Sequence, residues 1–107
     1  MIIRYTFNLA LPDFWCNEWL MKIVWDGPKR LANIAKHGLD FADAIFLDWH
    51  NAVIEPARAD RHGKRRMKAI GRFVDGTAVV IFATLGTEAI SLISFRAAHD
   101  KERRKLR

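Results

Sequence analysis

The sequence predicts one α+β domain: a small antiparallel β-sheet meander packed against two N-terminal helices, with a C-terminal helix. Three observations carry this reading. Apolar residues recur at helical spacing between positions 28 and 48. Three β-rich stretches follow between positions 66 and 96, separated by turn residues. The last eleven residues, Ala97–Arg107, are basic and lack strand-forming residues.

Each element has its own signal. Residues 1–20 are aromatic-rich and nearly uncharged, and Met21 begins what reads as a fresh start, so the predicted division is an N-terminal extension (1–20) and a domain (21–107). The extension is either separate from the domain or a strand or short helix that buries Phe7, Leu9, Leu11, Phe14, Trp15 and Trp19. Lys22–Trp25 is a short apolar strand. Asp26 or Gly27 caps the first helix, Pro28 suits its first position, and Gly38 fits the left-handed position just past its end. Leu31, Ile34 and Ala35 are expected to face inward. Asp40 caps a second helix over Phe41 to about Asp48, with Phe41, Ala44 and Ile45 on its buried side.

Ala52–Glu55 reads as a brief strand and Pro56–Lys64 as a basic loop. Arg66–Val74 leads into Asp75-Gly76, the strongest short hairpin signal in the chain. Thr77–Leu85 is almost continuously apolar, as a central strand buried on both faces would be. Gly86-Thr87 makes the next turn, and Glu88–Arg96 is a further strand.

The composition narrows the function classes. Half of the 107 residues are hydrophobic, which supports a packed core. The formal net charge is +6, and it is unevenly placed: positions 1–55 hold five Lys/Arg against seven Asp/Glu, positions 56–107 thirteen against five. Such a field attracts a polyanion or an acidic protein. The lone Cys16 permits no internal disulfide and no CxxC metal site, in keeping with a cytoplasmic protein. The four His residues have no metal-ligand spacing, and neither a Gly-rich phosphate loop nor a GxSxG elbow occurs, so no metal and no cofactor is expected.

Candidate site residues lie mainly in the basic half. On a strand, Arg66, Lys68 and Arg72 share one side, with Arg65 just before them. This is an ordinary solvent face or a phosphate-binding surface; three cations on one strand repel one another and favour an anion between them. Arg96 ends the last strand and can grip a phosphate or pair with Glu102 or Asp100. His99 and Glu102 are three apart on the last helix, either a helix-surface pair or proton carriers for cleavage at a 2′-hydroxyl. Lys36 and His37 suit the helix dipole at the end of the first helix, and His37 is a further candidate proton carrier.

Three blocks of this chain resemble the BrnT family of type II toxins. They are Val24-Trp25-Asp26 with Lys29, Asn33, Lys36-His37-Gly38, Phe41 and Ala44; Arg66 with Ala69-Ile70-Gly71; and Ile93-Ser94-Phe95-Arg96 with Ala98 and Glu102-Arg103. The resemblance implies a RelE-like fold, endoribonuclease activity without metal, and translation arrest. It also implies a BrnA-type antitoxin partner and contact with operator DNA through the antitoxin complex. On this reading Arg96, His99, Glu102 and His37 are the catalytic candidates, and Lys36, Arg65, Arg66, Lys68 and Arg72 bind RNA. The chain departs from the family pattern at Arg65, Leu85, Gly86 and Ser91, where the family often carries other residues. An alternative reading is therefore a toxin homologue without catalysis that acts as an antitoxin-bound repressor component.

Overall fold

Capping and turn residues place the first elements where the sequence predicts them, and the sheet assembles around them. The computed structural model describes residues 2–9, 19–58, 65–85 and 89–106, with residues 2–9 and 19–22 described by their backbone alone. The elements are β1 (Ile2–Leu9), β2 (Trp19–Asp26), α1 (Gly27–His37), two 3-10 helices (Phe41–Phe46 and Trp49–Asn51), β3 (Val53–Ala57), β4 (Arg66–Phe73), β5 (Gly76–Leu85), β6 (Ala89–Ala97) and α2 (Asp100–Arg104). Six strands form one sheet in the order β1-β2-β6-β5-β4-β3. The segment 2–9 is the strand β1, antiparallel to β2 along its whole length. β2 begins at Trp19 and crosses the expected boundary at residue 20 without a break. Among the described residues no helix is long and apolar enough to cross a membrane.

The sheet is mixed, where a purely antiparallel one is expected. The hairpins β3-β4, β4-β5 and β5-β6 are antiparallel, but β2 runs parallel to β6, pairing Lys22–Val24 with Ala89–Ser91. The α+β class stands. The chain returns to β6 only after all the intervening elements, a long connection of the kind that parallel neighbours need.

α1 starts and stops as its sequence dictates. Asp26 is its N-cap, Pro28 lies in its first turn, and Gly38 closes it at φ 73° with its N–H donated to the Ile34 carbonyl. Its orientation differs from the helical-spacing expectation. Leu31 (66% exposed), Ile34 and Ala35 face solvent, and Asn33 is the buried residue. The reason is polar. The Asn33 amide donates to the carbonyls of Leu39 and Phe95, both at 2.8 Å, and its Oδ1 accepts from the Phe95 N–H at 3.0 Å. Pairing of β2 with β6 ends at Ser91, so the edge of β6 at Phe95 needs a donor and an acceptor from elsewhere. The Asn33 side chain supplies both, as a neighbouring peptide would, and this requirement turns the helix.

The second expected helix is two 3-10 helices. Asp40 caps the first, accepting from the Ala42 N–H at 3.0 Å while Arg30 grips both its carboxylate oxygens at 2.7 and 2.8 Å. Phe41, Ala44 and Leu47 are all buried. That spacing of three matches the eclipsed side chains of a 3-10 helix better than the 3.6 period of an α-helix. Gly71 makes room for this segment: a Cβ there would lie 3.1 Å from the Leu47 side chain and 3.2 Å from the Asp48 carbonyl.

The two faces of the sheet differ. Ile23, Trp25, Ala69, Val80, Phe82, Leu92 and Phe95 form the main core with Phe41, Ala44 and Trp49. Edge-to-face ring pairs, such as Phe73 with Phe95 at 5.0 Å, tie it together. On the other face, Ile70 and Val79 are covered by Ala98 and Leu106. The predicted open cationic face is therefore partly closed, since the C-terminal segment lies across it. That segment is shorter than expected: Ala97 still belongs to β6, and α2 spans only Asp100–Arg104.

Candidate active site

A β-bulge decides where Arg96 points. Ile81 pairs with Ser94 and Phe82 with Leu92, leaving Ile93 as an extra residue on β6. Strict alternation from the buried Ile90 and Leu92 would send Ser94 and Arg96 into the main core. The extra residue shifts the phase, so Phe95 is buried there and Arg96 emerges on the α2 side. The spacing of Leu92 and Phe95, two core residues three apart on one strand, was the available sequence signal for this bulge.

On the α2 side Arg96 meets a buried carboxylate. Glu102 is 5% exposed and accepts from Arg96 Nη1 and Nη2, both at 2.8 Å, in an end-on fork. Lys68 Nζ lies 3.0 Å from Glu102 Oε2, and the His99 backbone N–H donates to Oε1 at 2.8 Å. Glu102 thus closes the first turn of α2 and joins β4, β6 and α2 at one point. Lys68 also lies 3.9 Å from Glu55, which Lys105 Nζ grips at 2.7 and 2.9 Å.

The electrostatics follow from these contacts. The Arg96 hydrogen bonds hold the Glu102 carboxyl far below the ordinary carboxylate range, against the opposing effect of burial, and the His99 N–H and Lys68 add to this. The same pair raises Arg96. His37, at the end of α1, is lowered by burial first, then by the charges of Lys36 and Arg96. A lowered histidine is neutral at neutral pH and able to accept a proton.

Arg96 keeps one edge open. Nη1 is used by Glu102 and by the Ala97 carbonyl at 3.2 Å, and one Nη2 hydrogen by Glu102. Among the described residues nothing takes Nε–H or the second Nη2 hydrogen. That side-on pair is a bidentate donor suited to a phosphate.

The site residues expected from sequence therefore fall into two groups. Arg96, Glu102, Lys68 and the His99 backbone meet directly, and His37, next to the exposed Lys36, lies within reach of the Arg96 charge. Arg72 is exposed and stands apart, at the far end of β4 beyond the covered Ile70. Arg65 is exposed just before β4, and Arg66 is half-buried. The basic loop at 59–64 and the turn at 86–88, including Gly86, lie outside the described residues. Among the described residues no three His, Cys, Asp or Glu side chains come together in a way that could hold a metal ion. Asn33, which positions the His37 end of α1, was visible in the sequence only as a matched family residue.

The pattern of these residues is matched by a known family. A family model described as the ribonuclease toxin BrnT of a type II toxin-antitoxin system aligns with residues 25–102. The chain belongs to the BrnT toxin family. Every residue of the Arg96–Glu102–Lys68 cluster lies inside the matched segment. Among solved structures, the Brucella abortus ribonuclease toxin BrnT is 47% identical, with a TM-score of 0.58. The match covers 71% of this chain and 94% of that one. A comparison with curated proteins finds no match. As a member of a type II toxin family, this BrnT chain has an antitoxin as its partner.

Proposed function

We propose that this BrnT chain is a RelE-like endoribonuclease that cleaves RNA without a metal ion, and that Arg96 and His37 carry the reaction. The observation that supports this most is the state of Arg96: Glu102 fixes one edge of its guanidinium while the Nε–Nη2 edge has no partner among the described residues, and the Arg96 charge reaches His37. The scissile phosphate sits on that edge. His37 accepts the 2′-hydroxyl proton as the 2′-oxygen attacks phosphorus. The bond from phosphorus to the 5′-oxygen breaks, and His99, exposed at the start of α2, returns a proton to the leaving oxygen. The products are a 2′,3′-cyclic phosphate and a 5′-hydroxyl. Arg96 stabilises the charge that builds on the phosphorane.

Glu102 takes a different part from the proton carrier its residue type suggests. A carboxylate that accepts four hydrogen bonds and is held strongly ionised is a poor base; it is a positioning residue for Arg96. Lys36 and Lys68 stabilise the bound strand near Arg96, and Arg65 and Arg66 extend the basic surface before β4. Cleavage of cytoplasmic messenger RNA arrests translation. A BrnA-type antitoxin silences the toxin, and their complex reaches operator DNA through the antitoxin.

The test is cleavage of RNA by the purified chain in excess chelator. Arg96→Ala is expected to lower kcat/KM by about 10²–10³. The acid limb of the wild-type profile falls below the ordinary histidine value of 6.5, because His37 is lowered, and His37→Ala removes that limb. Wild-type activity that vanishes with chelator and returns with a divalent ion would overturn the metal-free reading.

A further inference from the structure

The other end of the same sheet face carries a second feature that the reaction above does not use. Arg72 projects on the same side of β4 as Lys68, four residues on, a separation of roughly 13 Å along the strand. It is exposed, and none of the described acids pairs with it. Arg72 stands between two depressions of about 350 and 260 Å³, both of which also touch Leu106. The larger one is walled by Arg103 and Thr77. The Arg103 guanidinium is held in place, since it donates to the Ala98 carbonyl at 3.1 Å and pairs with Asp100. Asp75 at the hairpin and Asp48 at the smaller depression are the acids at the rim, and neither forms an ion pair with Arg72.

We propose that the groove between Arg72 and Arg103 is a second RNA subsite, holding a phosphodiester of the same strand that is cleaved at Arg96. This rests on the RNA-cleaving reading. The separation along β4 is greater than one phosphate can span, so a ligand that uses both sites is a polyanion. The segment between them is also cationic: α2 covers the sheet there, and its exposed Lys101 and Arg104 continue the positive surface from one site to the other. A strand crossing the outside of α2 meets Lys101 and Arg104; the exposed Asp100 there is paired with Arg103, and Glu102 beneath is already neutralised by Arg96 and Lys68. Thr77 offers a hydroxyl and Arg72 a complete guanidinium at the end of that path.

The experiment compares wild type, Arg72→Ala and Arg72→Lys in two assays. Cleavage of a dinucleotide and of a longer oligoribonucleotide is measured under the same conditions. For the longer RNA, Arg72→Ala is expected to raise KM several-fold with kcat unchanged, and for the dinucleotide to change neither. Binding of a 2′-O-methyl oligonucleotide, which cannot be cleaved, is measured as a function of salt. Arg72→Ala is expected to reduce the slope of log K against log salt by about one, and Arg72→Lys to restore it. Equal effects on the dinucleotide and the longer RNA, or an unchanged salt slope, would overturn the subsite. If wild type cleaves nothing but the slope still falls in Arg72→Ala, the catalytic reading fails and the subsite stands.

Discussion

Lys68 and Arg72 sit on one strand and on one side of it, yet their surroundings are opposite. Lys68 lies 3.0 Å from the buried Glu102, and its side chain is 23% exposed. Arg72 is exposed and has no acid partner among the described residues. The difference originates in α2, whose Glu102 reaches Lys68 while its Asp100 pairs with Arg103 and not with Arg72. Without Glu102, Arg96 and Lys68 would repel each other at close range, and a guanidinium with no fixed partner would sample many rotamers. With it, the cations are ordered before any ligand arrives. At the other end none of the nearby acids, Asp48, Asp75 or Asp100, forms an ion pair with Arg72, so there the charge is available to a ligand. One end of the face is organised for position, the other for contact.

The sharpest way to break this comparison is to remove the carboxylate. Glu102→Ala leaves Arg96 and Lys68 facing each other in a partly dry site and strips the cap from α2. Losing one partner of a buried ion pair costs about 3–5 kcal/mol. Arg72→Ala, at an exposed position with no partner, should fall within about 0.5 kcal/mol of wild type. Urea unfolding of both variants measures the contrast, and equal stabilities would show that the two ends are not different in kind.

Asn33 should come next. It holds α1 against β6 at Phe95, and with it His37 within reach of the Arg96 charge. Asn33→Leu keeps the volume but leaves the Phe95 N–H and carbonyl without their partner at a buried edge, at a cost of about 2–4 kcal/mol. Because α1 would then be free to rotate its apolar Leu31 and Ile34 inward, His37 should leave Arg96. The acid limb of the activity profile should therefore move toward the unperturbed histidine value. A stable variant with an unmoved limb would show that Asn33 does not place the histidine.

Acid separates the two ends more gently. The folded pKa of Glu102 is lowered from its ordinary 4.5. The unfolded chain thus binds more protons in acid, and stability rises with pH there. The contribution of Glu102 is complete above about pH 4.5 and is lost as pH falls toward its folded value. Glu102→Gln should be less stable than wild type at neutral pH, and the gap should narrow on acidification below pH 4.5. The gap between Arg72→Ala and wild type should show no such closure. Thermal unfolding at a series of pH values reads both.

Much of this fold was legible because its signals are local. Gly38, Asp40 and the Asp75-Gly76 region each announce a cap or turn from a few neighbouring residues, and the run after Thr77 names a central strand. What was hidden depends on partners distant in sequence. The inward face of α1 is set by the backbone of β6 at Phe95, 62 residues away from Asn33, so helical spacing selected the wrong residues. The parallel pairing of β2 with β6 and the bulge at Ile93 are likewise tertiary. Arg96 with Glu102 was readable as a pair from their proximity in sequence, but the addition of Lys68 required the sheet register. The sequence could not show that α2 covers the cationic face, since its basic character reads the same whether it lies in solvent or on Ile70.

The smallest effect concerns the hairpin at the open end. Its turn is one residue earlier than Asp75-Gly76 suggests: Phe73 pairs with Gly76, and Val74 and Asp75 make the loop. Val74 has φ 54° and is 82% exposed. A β-branched residue there is strained by about 1–2 kcal/mol, with little burial to offset it. Val74→Gly removes the strain but gives the unfolded chain about 0.5–1 kcal/mol of added freedom. The net expectation is a gain of up to about 1 kcal/mol, or a few degrees in Tm. Val74 also borders the larger depression beside Arg72. If the strain is only a cost of the tight turn, Val74→Gly should raise Tm and leave the affinity for long RNA unchanged. If affinity falls while Tm rises, the unfavourable backbone is what shapes the hairpin wall of the groove beside Arg72, and the open end too is pre-shaped, by strain where the other end uses a carboxylate.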